Sequence, residues 1–162
     1  REVIYVAGRN NNQLFVHEIG LSRLVGTISL VPSGDQAMAE NRYPITMIGL
    51  RGMLERIIEQ WEAEGEYAET NVKYYPNAKL GKRECRVIES THPQPRKQFK
   101  FHMTRLFIDK ELGVAVRVEQ YDFPTNGGKP PLVEEYSYLD IQTNIGLKEA
   151  DFDTKNPNYA FP

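Results

Sequence analysis

Apolar residues at Met47, Leu50, Leu54, Ile57 or Ile58 and Trp61 recur at steps of three and four. That spacing draws one stripe down a helix of 3.6 residues per turn. Arg51, Glu55, Arg56, Glu59, Gln60 and Glu62 fall mainly on the other side. Pro44 suits a first turn and Gly65 a stop, so the pattern predicts one long helix over residues 43–65. At 1.5 Å per residue such a rod is roughly 30 Å long, about the width of a small domain.

The rest of the chain reads as strand. Alternating or β-rich segments span residues 1–7, 13–18, 24–31, 71–75, 83–91, 98–109, 113–122 and 132–143. Gly8 and Asn10 to Asn12 make a turn suited to positive φ, PNAKLG joins the fourth and fifth strands, and Asn126-Gly127 marks a hairpin turn. If the last hairpins pair in the simplest register, Phe99, Phe101, Met103, Arg105 and Phe107 share a face with Val114, Val116, Val118, Tyr136 and Tyr138. Lys100, His102, Thr104, Arg117, Glu119, Glu135 and Ser137 then form the wet face. The order is three strands, one helix, five strands. It predicts an α+β fold: a curved antiparallel β-sheet, or half-barrel, with one long helix on its apolar face, in a single domain over 1–162. Phe152, Tyr159 and Phe161 are expected to tack the last segment onto it.

Composition narrows the function classes. A chain of 162 residues with 40% apolar and 26% charged content can bury a proper core. A net charge of -2 without Lys/Arg runs offers no field for nucleic acid or anionic lipid. No window is apolar and long enough for a transmembrane helix. The one cysteine excludes an intramolecular disulfide. REVIYV reads as strand from the first residue, so a preceding segment is expected to be missing.

Little in the chain points to catalysis. His17, His92 and His102 lack zinc-ligand spacing and read as surface or edge histidines. Cys85, in RECRVIES, reads as a small buried hydrophobe, with only Arg83 and Arg86 nearby to activate it as a nucleophile. Glu62, Glu64, Glu66 and Glu69 read as a solvated helix end. No nucleotide-binding or hydrolase motif occurs, and no metal or cofactor is expected. Arg105, between Met103 and Phe107, must be paired if buried. It either meets Glu134 or Asp140 and fixes register, or anchors an anionic head group or carbonyl in an apolar pocket. The aromatic face packs under the helix or leaves room for an acyl chain. The candidate pocket is Leu50, Leu54, Ile57, Trp61, Phe101, Arg105, Val116 and Tyr136. Gly49 and Gly52 suit close helix-to-sheet contact and so favour a filled core.

The strings REVIYV, AENRYPIT, THP, LFIDKELGVAVRVEQYDFP, GGKPPLVEEYSYLDIQTNIGL and DFDTKNPNY resemble, over nearly the whole chain, a bacterial exported family of unknown function, the fifteen-seventy-one group. More distantly, LFIDKELGVAVRVEQYD, LVEEYSYLDIQTN and DFD are similar to the periplasmic lipoprotein-carrier (Lol) fold. The resemblance implies a location in the cell envelope and a half-barrel that holds an acyl chain between sheet and helix. It transfers no catalytic residue. Two expectations follow. One is a non-catalytic binding protein for a lipid or an acylated protein. The other is a structural or interaction module with a filled core, with a protein partner at an open sheet edge. An enzyme using His102 or Cys85 is a third reading.

Overall fold

The computed structural model describes residues 1–18 and 26–162. They form two compact units, Arg1–Gly49 with Gln142–Pro162, and Leu50–Ile141. The start of the third predicted strand, at Leu24, lies outside the described residues.

In the first unit β1 (Glu2–Ile4), β2 (Leu14–His17) and β3 (Thr27–Leu30) pair antiparallel in that order. Val3, Leu14, Val16, Ile28 and Leu30 share one face, as the pairs Val3↔Val16, Val16↔Ile28 and Leu14↔Leu30 require. The predicted turn holds: Gly8 and Asn10 to Asn12 all have positive φ, which Gly and Asn tolerate best. A short helix, α1 (Asp35–Met38), replaces the expected loop. The last residues dock as anticipated. Ala160 N–H donates to Glu2 Oε2 at 2.7 Å, Tyr159 Oη–H donates to the Asp151 carbonyl at 2.6 Å, and the Phe161 ring sits 5.8 Å from that of His17.

The second unit begins with α2 (Leu50–Gly65), shorter than predicted. Pro44 precedes a 3₁₀ turn, Ile45–Met47, and Gly49 at φ +103° breaks the chain before the helix proper. A Cβ at Gly49 would meet no atom within 4 Å, so its role is this backbone conformation and not close packing. Five antiparallel strands follow in sequence order: β4 (Asn71–Leu80), β5 (Arg83–Thr91), β6 (Met103–Asp109), β7 (Ala115–Tyr121) and β8 (Leu132–Ser137). β4 runs through the predicted PNAKLG turn. A bulge at Pro76-Asn77 absorbs the proline on this edge strand, and the chain reverses at Gly81-Lys82. Asn126 and Gly127 turn the β7–β8 connection, both at positive φ as predicted.

The register departs from the simplest one. β7 carries an extra residue: Phe107 pairs Arg117 while Ile108 pairs Ala115, so Val116 has no partner on β6. A one-residue shift swaps every side chain beyond it to the other face. Leu106, Val118 and Tyr136 therefore form one row, and Arg105, Glu119 and Glu135 form a row on the opposite face. The predicted faces are inverted along β6: Thr104 and Leu106 are buried, and Met103, Arg105 and Phe107 lie on the other face, because Val118 lines up with Leu106.

The Leu106 face is the covered one. Met53 and Ile57 of α2 pack on Leu106, Ala115 and Val118, with Leu50, Leu54, Trp61, Ile108, Tyr136 and Tyr138 around them. Each fully buried aliphatic side chain contributes about 1.5–3 kcal/mol over an exposed one, and this cluster is what holds the helix to the sheet. The contacts place α2 over β6, β7 and β8.

Candidate functional site

Because α2 lies over β6–β8, the helix side of β4 and β5 is only partly roofed. Register puts Val72, Tyr74, Ile88 and Ser90 on that side, in the rows Tyr74↔Ile88↔Leu106 and Val72↔Ser90↔Thr104. Val72 and Tyr74 are 65% and 57% exposed. On the helix, Ile58, Trp61 and Gly65 follow one another at steps of three and four, and Ile58 is exposed. Where this stripe meets the strands there is a pocket of about 260 Å³ lined by Trp61, Gly65, Ala68, Thr70, Val72, Ile88 and Ser90. None of these residues carries a charge. Of the seven, only Trp61, Thr70 and Ser90 carry side-chain hydrogen-bonding groups.

One wall is fixed by buried polar residues. Glu64 and His92 are almost fully buried, with Glu64 Oε2 3.1 Å from His92 Nε2. The two atoms are close but out of line, so Glu64 Oε2 makes no formed hydrogen bond. A carboxylate only accepts, which suits the tautomer with its proton on Nε2. His92 Nδ1 is then free to accept from Thr70 Oγ1 at 3.3 Å. The imidazole stacks on Phe99, with centroids 3.8 Å apart and planes within 4°. Gln60 Nε2 donates to Glu64 Oε1 at 2.9 Å, and Gln120 Nε2 donates to Gln60 Oε1 at 2.9 Å. The chain of contacts Gln120–Gln60–Glu64–His92–Thr70 ties β7 and the end of α2 to the residues after β5. It pairs Gln60, Gln120 and Glu64 Oε1, groups that would otherwise be costly in the interior, and leaves Glu64 Oε2 as the unbonded atom.

These residues correct two sequence expectations. His17 and His92 are buried, not surface histidines. Glu62 and Glu66 do lie in solvent, and Glu69 is bonded to Arg96 at 3.1 Å, but Glu64 is buried. Gln60 and Glu64 continue the sheet-facing steps that begin at Met53 and Ile57, so polar residues at stripe positions were the available signal.

Of the candidate pocket, Ile57 lies in the core, and Leu50, Leu54, Trp61 and Tyr136 pack around it. Phe101 and Val116 are fully buried, Val116 at the bulge. Arg105 is on the opposite face. Its Nε donates to Glu89 Oε2 at 2.7 Å, and its guanidinium lies 5.6 Å over the Tyr121 ring. Glu89 also accepts from Tyr75 Oη at 3.2 Å, while Glu119 accepts from Tyr121 Oη at 2.8 Å and pairs with Arg117 at 2.8 Å. Arg105 pairs across the strands with Glu89 and, at 3.9 Å, with Glu119, where Glu134 or Asp140 was the expected partner. It borders an open groove of about 500 Å³ with Tyr75, Val87 and Phe107.

Cys85 is buried and lies opposite Asp109. Burial, then the Asp109 charge, push its thiol up, away from a reactive thiolate. Asp109 itself lies below the usual carboxylate range. Its Oδ1 accepts from the N–H groups of Leu112 and Glu111 at 3.0 and 2.8 Å, and Oδ2 accepts from Arg83 at 2.7 Å. Among the described residues no group of three or more His, Cys, Asp or Glu is placed to hold a metal ion. No described helix is long and apolar enough to cross a membrane.

A second cavity, about 320 Å³, lies within the first unit against Val3, Leu14, Val16, Ile28 and Leu30. Its rim carries the charged pair Arg1–Glu18, so it is less apolar than the pocket at Trp61.

A family model described as "Protein of unknown function (DUF1571)" matches residues 1–161. No curated protein and no solved structure matches the chain.

Proposed function

The chain belongs to the DUF1571 family of proteins of unknown function, and on that premise we propose that it is a non-catalytic binding protein of the cell envelope that seats an apolar ligand, a lipid or acyl chain, between helix and sheet. The observation that carries this reading is the uncharged pocket beneath Trp61 and Gly65, continuous with exposed Val72 on β4. Ligand seats are typically apolar clefts with a few polar groups, and this one has that character at the small end of the size range. Placement in the envelope, and a half-barrel akin to the lipoprotein carriers, rest on the resemblance of the sequence motifs.

The site lies at the end of α2 and not along the whole helix, because Met53 and Ile57 fill the space further back. A chain entering over Val72 would bury apolar surface at about 25 cal/mol per Å². The Gln60–Glu64–His92 contacts hold the helix end in place and so spare the ordering cost of forming the seat on binding.

Mass spectrometry of organic extracts from protein purified without detergent tests the proposal. A stoichiometric lipid or fatty acid, reduced in Trp61→Ala, is the expected result. A clean extract, no uptake of added lipid and unchanged Trp61 fluorescence would overturn it. Trp61 is the only tryptophan, so the signal reports this site alone.

A second reading is favoured by one observation. β4 is a ten-residue edge strand of the five-stranded sheet, exposed over Asn71 to Asn77. Its free edge could take a partner's strand, although Pro76 and its bulge limit such pairing to the first half of the strand.

A further inference from the structure

The pocket at the end of α2 is apolar, but two of its walls end in polar atoms with nothing to bond. Ser90 is 3% exposed, and its Oγ has no hydrogen-bond partner. Strand alternation aims its side chain to the helix side, beside Ile88, where it lines the pocket. Trp61, across the pocket on α2, has a buried Nε1–H that is likewise unpartnered. The third polar wall residue, Thr70, is committed to His92 Nδ1. Buried donors are paired in native proteins in the great majority of cases, so two at one pocket need a shared explanation.

We infer that this pocket recognises a neutral carbonyl, the ester, amide or ketone oxygen of an acyl group, through Trp61 Nε1–H and Ser90 Oγ–H, with the hydrocarbon lying over Val72 and Ile88. The inference rests on the reading of the pocket as a ligand seat and adds the chemistry of its polar end. An indole N–H only donates, so the matching ligand atom must accept. The ligand group is neutral because no cation lines the pocket and the buried Glu64 carboxylate lies in the adjacent wall. A carboxylate placed there would meet a like charge with nothing to offset its desolvation.

The test compares two molecules with one skeleton, butyrophenone and n-butylbenzene, which differ in the carbonyl oxygen. Isothermal titration calorimetry on the whole chain gives the affinity ratio. In a pocket without donors the ketone must shed its water for nothing, and the hydrocarbon binds tighter. The inference predicts the opposite order in the wild type, with the ketone favoured about tenfold or more. It predicts a return to hydrocarbon preference in Ser90→Ala and in Trp61→Phe, each checked for folding by circular dichroism. Equal or hydrocarbon-favouring affinities in the wild type would overturn the carbonyl subsite while leaving the apolar seat standing. A ketone preference that survives both substitutions would also overturn it, since the donors would then lie elsewhere. If neither probe binds, the seat itself fails, and the inference with it.

Discussion

Asp109 shows how much one side chain can organise. It closes the β6–β7 hairpin by accepting two backbone N–H groups, and it accepts from Arg83 as well. Its folded pKa lies below the ordinary value of 3.8. Its stabilising effect is therefore complete above the unfolded pKa and is lost as pH falls through the folded one. Asp109→Asn is expected to cost about 1–3 kcal/mol at pH 7. In urea titrations the gap to wild type should narrow as the pH drops below 3.8. A gap independent of pH would show that the charge is not what matters. His92 is a second such residue. It is buried, stacked on Phe99 and adjacent to Glu64. His92→Ala opens a cavity and leaves the neighbouring carboxylate exposed to an apolar void, so a loss of about 2–4 kcal/mol is expected in the same assay. A change under 0.5 kcal/mol would mean that the polar chain does not brace the helix end.

At the scale of elements, the bulge at Val116 decides which face of the sheet the helix covers. Deleting Val116 would make Ile108↔Ala115 and Phe107↔Arg117 successive pairs of an unbroken ladder, with Leu106 still opposite Val118 and Arg105 still opposite Glu119. The apolar and charged rows would survive and only the fully buried Val116 side chain would be lost, so unfolding that stays cooperative at a lowered midpoint by circular dichroism is the expected outcome. A variant that loses cooperative unfolding would show that the bulge itself is needed for the register. This is also where the sequence stopped being informative. Periodicity along a strand is a local property, and it revealed the strands, the helix and the Asn126-Gly127 turn. A bulge is a property of two strands together, and nothing in AVRVEQY marks Val116 as the extra residue. Arg105 was consequently expected on the wrong face. Of the expected pocket residues only Trp61 lines the pocket at the helix end; Leu50, Leu54, Ile57 and Tyr136 belong to the helix–sheet core, and Arg105 lies on the opposite face.

At the scale of the whole molecule, the chain combines a three-stranded and a five-stranded antiparallel sheet with one main helix. The helix is too short and too far to one side to roof all of its own sheet. The uncovered strip over β4 and β5 carries exposed Val72 and Tyr74 beside the Trp61 pocket, a combination that marks a binding surface more often than an accident of folding. The buried glutamine, glutamate and histidine behind it were not foreseen, because each residue alone has an ordinary surface explanation, and only the fold brings them together. The central claim is that an apolar chain sits between the end of α2 and the first two strands of the larger sheet. The most direct test is photocrosslinking of the purified chain with a diazirine-bearing acyl ester, followed by peptide mapping. Labels on Trp61, on residues 68–72 and on residues 88–90 are the predicted result. Labels concentrated on Val3, Leu14, Val16, Ile28 and Leu30 would move the seat to the other unit, and the absence of any specific label would contradict the account outright.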